Sequence, residues 1–189
     1  DEANQDDAIT FINMLENALR PVYEGQENLR VLDIGCGTGL GAYPMREYTK
    51  QGQLIGVDLS QKLLEIARAK NIYLRTEMSD VLYFIEQEKA PFDALIASES
   101  VPFFKDLEQA FAAFNKALKV GGYFFFSVKR NSLNNDDVVL YPQYNYIFSE
   151  SYVRTSLEKN GFEIQSVQSM QDGSDEIIHD KRYFYVVRK

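Results

Sequence analysis

Apolar positions along the chain switch between two rhythms, one of period two or continuous and one near 3.6. Residues 6–19 (DDAITFINMLENAL) place Ile9, Ile12, Leu15 and Leu19 near helical spacing, and Pro21 follows the predicted stop. RVLDI (30–34) is a short apolar run entering glycines, the pattern of a buried strand. Residues 41–49 read as a helix, and QLIGVD (53–58) as the second strand. Ser60 caps the helix QKLLEIARAK, with Leu63, Leu64, Ile66 and Ala67 on its inner face. NIYLRTEM (71–78) fits a third strand, Asp80 begins a short helix through Ile85, and PFDALIAS (91–98) is the fourth strand. The segment 106–119 predicts a strong helix. Asp106 caps it, Leu107, Ala110, Phe111, Phe114 and Leu118 form its stripe, and Gly121-Gly122 end it. YFFFSV (123–128) is a fully apolar strand, and residues 129–148 read as irregular. Ser149 caps a last helix closed by Gly161, and 162–170 and 181–189 alternate like two final strands.

Strands separated by single helices require right-handed crossovers, hence parallel strands covered on both faces. The last two strands are joined by a short polar loop and must run antiparallel to each other. The pattern therefore predicts an α/β, doubly wound, seven-stranded, mostly parallel sheet with an antiparallel last strand and helices on both faces. Residues 1–189 read as one domain, with the helix of residues 1–20 packing near the ligand site.

Composition sharpens this in a few places. Hydrophobic residues make up 45% and charged residues 25%, so a sizeable core is within reach and disorder is not expected. The net charge of −8 argues against nucleic acid or an anionic membrane as partner, because phosphate contacts need clustered Lys and Arg. With one cysteine, Cys36, the chain can form no internal disulfide and no multi-cysteine zinc site, in keeping with a reducing, cytoplasmic setting. A single histidine, His179, narrows metal chemistry further, and the expectation is no metal. The apolar runs are too short to span a bilayer. The first residues, DEANQDDAI, are no signal peptide; lacking an initiator Met, the chain reads as a piece of a longer one.

The candidate chemistry gathers at VLDIGCGTGLG (31–41). In a doubly wound sheet ligands bind beyond the carboxyl ends of the strands, and glycines in the first strand–helix turn let the backbone approach them. Gly35 and Gly37 match the start of G-x-G-x-x-G, but Leu40 occupies its last position, and Asp33 would repel a bare phosphate. No Gly-Lys-Ser/Thr follows, so a phosphate loop is excluded. An acid at the strand end suits a ligand with an amine-bearing or positive part. Asp58 ends the second strand and can accept both hydroxyls of a ribose. Asp80 can take the exocyclic amine of an adenine, between Leu59 and Val81.

In order, VLDIGCGTG, GVDLS, MSDV, FDALIAS and LKVGGYFFFSV resemble the motifs of class I S-adenosylmethionine-dependent methyltransferases over about residues 28–130. The resemblance implies S-adenosyl-L-methionine as cofactor and S-adenosyl-L-homocysteine as product. It places the turn Gly35, Cys36, Gly37, Thr38, Gly39 against the methionine part, with Asp33 fixing the turn and the cofactor's amino group. Asp58 and Leu59 would meet the ribose and base, Ser79, Asp80 and Val81 the adenine, and Ala97 and Ser98 the methionine end. The tail, SVKRNSL then YNYIFSESYVRTSLEKNGFEI, is similar to bacterial methyltransferases that often carry tetratricopeptide repeats upstream; the chain itself has none.

Each site residue has a plainer reading. The three acids can simply cap helices, yet three at consecutive strand ends beside the glycine turn favour the cofactor. For Cys36 the plain reading wins: it is a small residue in a tight turn. His179 reads as a surface residue. Glu99, directly after the fourth strand, lies near the transferred methyl and can steer an acceptor, or merely sit at the rim. Phe103, within VPFF, reads as pocket wall or core. Tyr141, Tyr144 and Tyr146 can line an acceptor pocket or cover the core.

A sulfonium methyl is already activated, so such an enzyme mainly aligns the acceptor and excludes water. No compelling general base and no metal-binding cluster stands out. The expectation is metal-independent transfer to an O or N atom of a small molecule. A protein acceptor, a cofactor-binding scaffold without turnover, and a nicotinamide oxidoreductase are the rivals; the missing third glycine counts against the last.

Overall fold

The computed structural model describes residues 2–131, 135–141, 145–170 and 182–189, with only the backbone described for 2–7. In chain order the elements are α1 (Glu2–Tyr23), β1 (Arg30–Ile34), β2 (Gln53–Asp58), α2 (Gln61–Ala69), β3 (Arg75–Met78), α3 (Val81–Gln87), β4 (Phe92–Ala97), α4 (Leu107–Ala117), β5 (Leu118–Lys129), β6 (Val138–Tyr141), β7 (Asn145–Phe148), α5 (Glu150–Lys159), β8 (Glu163–Met170) and β9 (Arg182–Arg188). Short 3-10 turns span Tyr43–Glu47 and Val101–Phe103.

Over the described residues, seven strands form one sheet in the order β3-β2-β1-β4-β5-β9-β8. β1 to β5 pair in parallel, and β9 runs antiparallel to both β5 and β8, as the alternation of the tail predicts. Strand order reverses between β1 and β4, which opens a crevice at their carboxyl ends.

The inner strands β1, β2, β4 and β5 are buried on both faces, with successive side chains pointing into opposite cores, whereas the edge strands β3 and β8 stay largely exposed. Leu32, Ile34, Leu95, Phe124 and Phe126 face α3, α4 and α5, where Phe84, Phe111, Phe114, Val153 and Leu157 close the larger core. Val31, Leu54, Ala94, Ile96 and Phe125 face α1 and bury Phe11, Leu15 and Leu19 completely. Each fully buried phenylalanine removes enough apolar surface from water to contribute roughly 2–3 kcal/mol.

Several elements differ from the pattern reading. The buried seam of α1 is Phe11, Leu15 and Leu19 rather than one through Ile9, which is half exposed. The helix also runs through Pro21 to Tyr23. Pro21 lacks an N–H and removes one helical bond near the end. Burial of Tyr23, whose hydroxyl donates to the Asp93 carbonyl at 2.8 Å, carries the chain onward. Residues 41–49 hold only a 3-10 turn, Tyr43–Glu47, with Pro44 in its first turn, where no helical donor is lost.

α4 stops at Ala117, and Leu118 already pairs with Phe92. The left-handed φ of 80° at Gly121 then lets β5 resume pairing at Tyr123 after a bulge. Within 129–148, β6 and β7 form a hairpin outside the main sheet, with Val138 opposite Phe148. Of the four residues read as the inner face of α2, only Leu64 and Ala67 are buried; Leu63 and Ile66 are exposed.

Candidate functional site

β1 ends at Ile34 and the chain turns on three glycines with left-handed φ: Gly35 (63°), Gly37 (52°) and Gly39 (81°). At Gly35 a side chain is excluded twice, by this φ and by space, because a Cβ would lie 2.6 Å from the Cβ of Ser100. Ser100 arrives after β4 and donates its hydroxyl to the Ile34 carbonyl at 2.5 Å, fastening the turn to the neighbouring strand. The Gly37 N–H donates to Asp58 Oδ2 at 2.8 Å, and the other oxygen of Asp58 accepts the Ser60 N–H at 2.8 Å. Asp58 thus ties the glycine turn to the start of α2. Each of its oxygens keeps a lone pair for a further donor. Lys70 donates to the Thr38 carbonyl at 2.7 Å from the end of α2.

Asp80 caps α3, accepting from the N–H groups of Leu82 (2.9 Å) and Tyr83 (3.1 Å) through one oxygen. Its side chain stands exposed at the cleft. After β4, Glu99 has a φ of 61°, a conformation that costs a residue with a side chain about 1–2 kcal/mol. A network holds it there. Its N–H donates to the fully buried Ser127 hydroxyl at 3.1 Å, that hydroxyl donates back to Glu99 Oε1 at 2.8 Å, and Arg182 Nε lies 3.4 Å from Oε2.

These groups line one cleft of about 520 Å³ at the carboxyl ends of the parallel strands. Of the residues anticipated from sequence, it brings together Gly35, Gly37, Asp58, Leu59, Ser79, Asp80, Val81, Ser98, Glu99 and Phe103. Asp33, Cys36, Thr38, Gly39 and Ala97 support it from behind: Asp33 and Cys36 are buried, and Ala97 is fully enclosed in the core. Tyr141 and Tyr146 sit on the β6–β7 hairpin outside the cleft lining, Tyr146 packed on the larger core. Tyr144 and His179 lie outside the described residues. Phe104, in the VPFF stretch (101–104) read as pocket wall or core, lines the cleft too; cleft residues that sequence reading did not assign are Ile34, Val57, Leu63, Leu82 and Ser100. Leu63 and Leu82 occupy the first turns of helices that start at strand ends, and this position alone marks them. A second cavity of about 480 Å³, lined by Lys89, Lys116 and Lys119, opens at the opposite end of the sheet, away from the crevice.

Electrostatically the site is acidic. Burial pushes the Asp33 carboxyl up to about 7; the hydrogen bond from Tyr73 opposes this and the charge of Asp58 adds to it. Burial, with Asp33 and Asp58 nearby, raises the Cys36 thiol far above its ordinary range, so no thiolate forms at neutral pH. Because folded Asp33 holds its proton more tightly than the unfolded chain does, it destabilises the fold as pH rises from about 4 through about 7. Asp33→Asn is therefore expected to be more stable than the parent at about pH 8, by roughly 1–3 kcal/mol, with the gain vanishing near pH 4. Urea unfolding at the two pH values measures it; an equal difference at both would show that Asp33 does not titrate in this range.

The arrangement fits a cationic nucleoside ligand. The turn lets a ligand reach backbone without meeting a Cβ at Gly37, where the space is open. Asp58 and Asp80 offer acceptors at the two positions a ribose and an adenine amine require. Leu59, Leu63, Val81 and Phe103 offer apolar walls for a ring.

Known proteins carry the same signal. A family model described as a methyltransferase domain matches residues 31–122. A ubiquinone biosynthesis O-methyltransferase of Hydrogenovibrio crunogenus is 28% identical over 131 residues, covering 67% of this chain and 54% of that protein. The chain spans about half the length of the curated relatives it matches. Among solved structures, a magnesium protoporphyrin IX methyltransferase from Synechocystis PCC 6803 with bound S-adenosylmethionine superposes with a TM-score of 0.67 at 18% identity, covering 94% of this chain and 78% of that one. An N-methyltransferase from Bradyrhizobium japonicum WM9 superposes with a TM-score of 0.69 at 16% identity, covering 95% and 96%.

Proposed function

We infer from the membership of this chain in the class I S-adenosylmethionine-dependent methyltransferases, to which it belongs, that it transfers a methyl group to an O or N atom of a small molecule. The observation that carries this reading is the convergence of the glycine turn with Asp58 and Asp80 in one cleft at the point where strand order reverses. When bound, S-adenosylmethionine supplies a methyl group already activated on a sulfonium.

The chain's own residues hold and orient. Asp58 accepts the ribose hydroxyls while keeping the turn in place, and Asp80 accepts the adenine amine with the oxygen not used to cap α3. Leu59 and Val81 flank the ring. Ser98 and the backbone of the glycine turn receive the methionine end. The acidic lining of Asp58, Asp80 and Glu99 attracts a ligand with net positive charge. Glu99, locked by Ser127 and Arg182, orients the acceptor, and the apolar wall at Phe103 and Phe104 keeps water from the transfer path. The relatives named for ubiquinone biosynthesis support a small-molecule acceptor.

Calorimetric titration with S-adenosylhomocysteine, followed by transfer of a labelled methyl to a panel of catechols, carboxylic acids and primary amines, tests this. Binding and label in a small molecule are expected. No binding overturns the cofactor reading. Binding with label entering protein favours a protein acceptor, and binding with no transfer favours a cofactor-binding scaffold.

A further inference from the structure

Beneath the glycine turn lies a residue that none of the motifs includes. Tyr73 precedes β3, in the loop that follows α2. Its ring fills the space under two glycines: a Cβ on Gly39 would lie 2.7 Å from the ring, and one on Gly56 would lie 3.0 Å from it. Its hydroxyl donates to Asp33 Oδ2 at 2.6 Å. Asp33 itself is 2% exposed, set between Gly56 of β2 and Ile96 of β4. At Gly39 the aromatic ring alone occupies the volume a side chain would need; at Gly56 it shares that volume with Cys36, whose Sγ would lie 2.9 Å from a Cβ, and the turn rests on both.

We propose that Tyr73 is a positioning residue of the cofactor site, supporting the glycine turn with its ring and keeping the Asp33 carboxyl in its charged form with its hydroxyl. The proposal rests on the cofactor reading above.

The chemistry follows from who faces Asp33. The groups acting on it are Tyr73 from the loop before β3, Asp58 from the end of β2, and Cys36 from the turn. Cys36 stays neutral, and the Lys70 ammonium is directed to the Thr38 carbonyl. The Tyr73 hydroxyl is therefore the group that favours the charged carboxylate, against burial and against Asp58. Burial and the adjoining Asp33 raise the phenol well above its ordinary value, so it remains a donor throughout the physiological range. A negative Asp33 behind the turn adds to the field that holds a ligand carrying an ammonium and a sulfonium. A protonated Asp33 does not.

The test is the pH dependence of S-adenosylhomocysteine affinity in the parent, Tyr73→Phe and Asp33→Asn. The parent is expected to lose affinity as pH falls through about 7, by up to roughly tenfold between pH 8 and pH 6. In Tyr73→Phe the ring stays and the hydroxyl is gone, so the Asp33 titration moves upward. The affinity ratio to the parent is then largest near pH 8 and approaches one by about pH 6, where both carboxyls are protonated. Asp33→Asn should give a flat profile.

A Tyr73 that only packs would lower affinity by the same factor at every pH. Parallel profiles, or an unchanged Tyr73→Phe, overturn the proposal, whereas a parent that binds no S-adenosylhomocysteine at any pH defeats the cofactor reading instead. The Asp33 side-chain carboxyl 13C shift of the ligand-free proteins supplies a readout independent of binding: a higher midpoint is expected in Tyr73→Phe than in the parent, and equal midpoints in the two overturn the proposal.

Discussion

Replacing Asp58 by alanine is expected to weaken S-adenosylhomocysteine binding by about 100-fold or more, since about 1.4 kcal/mol corresponds to each factor of ten. Two losses act together. The first is direct: the ribose loses a charged acceptor, and a hydrogen bond to a charged group contributes roughly 1.5–3 kcal/mol. The second is architectural. Asp58 accepts the N–H groups of Gly37 and Ser60 at 2.8 Å each, so its removal leaves both donors without this partner and unties the turn from α2. The conservative change Asp58→Asn keeps one acceptor oxygen and should fall between the two. Isothermal titration of all three proteins decides it; equal affinities would show that the ribose does not reach Asp58.

The second large effect is expected at Gly35. Alanine there meets the Ser100 Cβ at 2.6 Å in a left-handed conformation with φ of 63°. Neither atom can yield easily, because Ser100 is fastened to the Ile34 carbonyl. Gly35→Ala is expected to cost about 2–4 kcal/mol of stability, from overpacking plus the left-handed backbone, and to remove measurable cofactor binding. A second substitution separates the causes. Ser100→Gly removes the opposing Cβ together with the hydroxyl bound to the Ile34 carbonyl, so the clash is isolated by the cost of Gly35→Ala in each background: it should be smaller in Ser100→Gly than in the parent, where only the cost of φ is left in the former. Thermal unfolding of the parent, the two single variants and the double variant measures this. If Gly35→Ala costs the same in both backgrounds, the clash with Ser100 is not what excludes a side chain.

The two variants also show why the cleft was partly legible beforehand. VLDIGCGTG, GVDLS and SDV each end a strand with a small or acidic residue. In a parallel sheet the ends of neighbouring strands converge without any further information, which is why Gly35, Gly37, Asp58 and Asp80 meet. Ser100 and Tyr73 carried no such mark. Ser100 follows the strand end by three residues and is placed by the 3-10 turn that Pro102 helps to start. Tyr73 read as one more aromatic strand residue, yet β3 begins only at Arg75. The β6–β7 hairpin was hidden for a related reason: its strands are four residues each and lie outside the main sheet, too short for alternation to stand out from an Asn- and Tyr-rich stretch.

What the chain determined by itself is whatever depends on local periodicity and on strand ends: the alternation of helix and strand, the antiparallel last strand, the two-sided burial of β1, β4 and β5, and the glycine turn with its downstream acids. What only the tertiary structure decided is what depends on contacts across the chain. The Asp33–Tyr73 pair joins residues 40 positions apart, and the Glu99, Ser127 and Arg182 network joins three strand ends. Which face of α1 turned inward, and how far β5 extended past its bulge, were set by fit against Phe184 and Phe92. Periodicity records how often a residue faces the core; it holds no distance between two side chains that meet there, and the support beneath the turn is made of such distances.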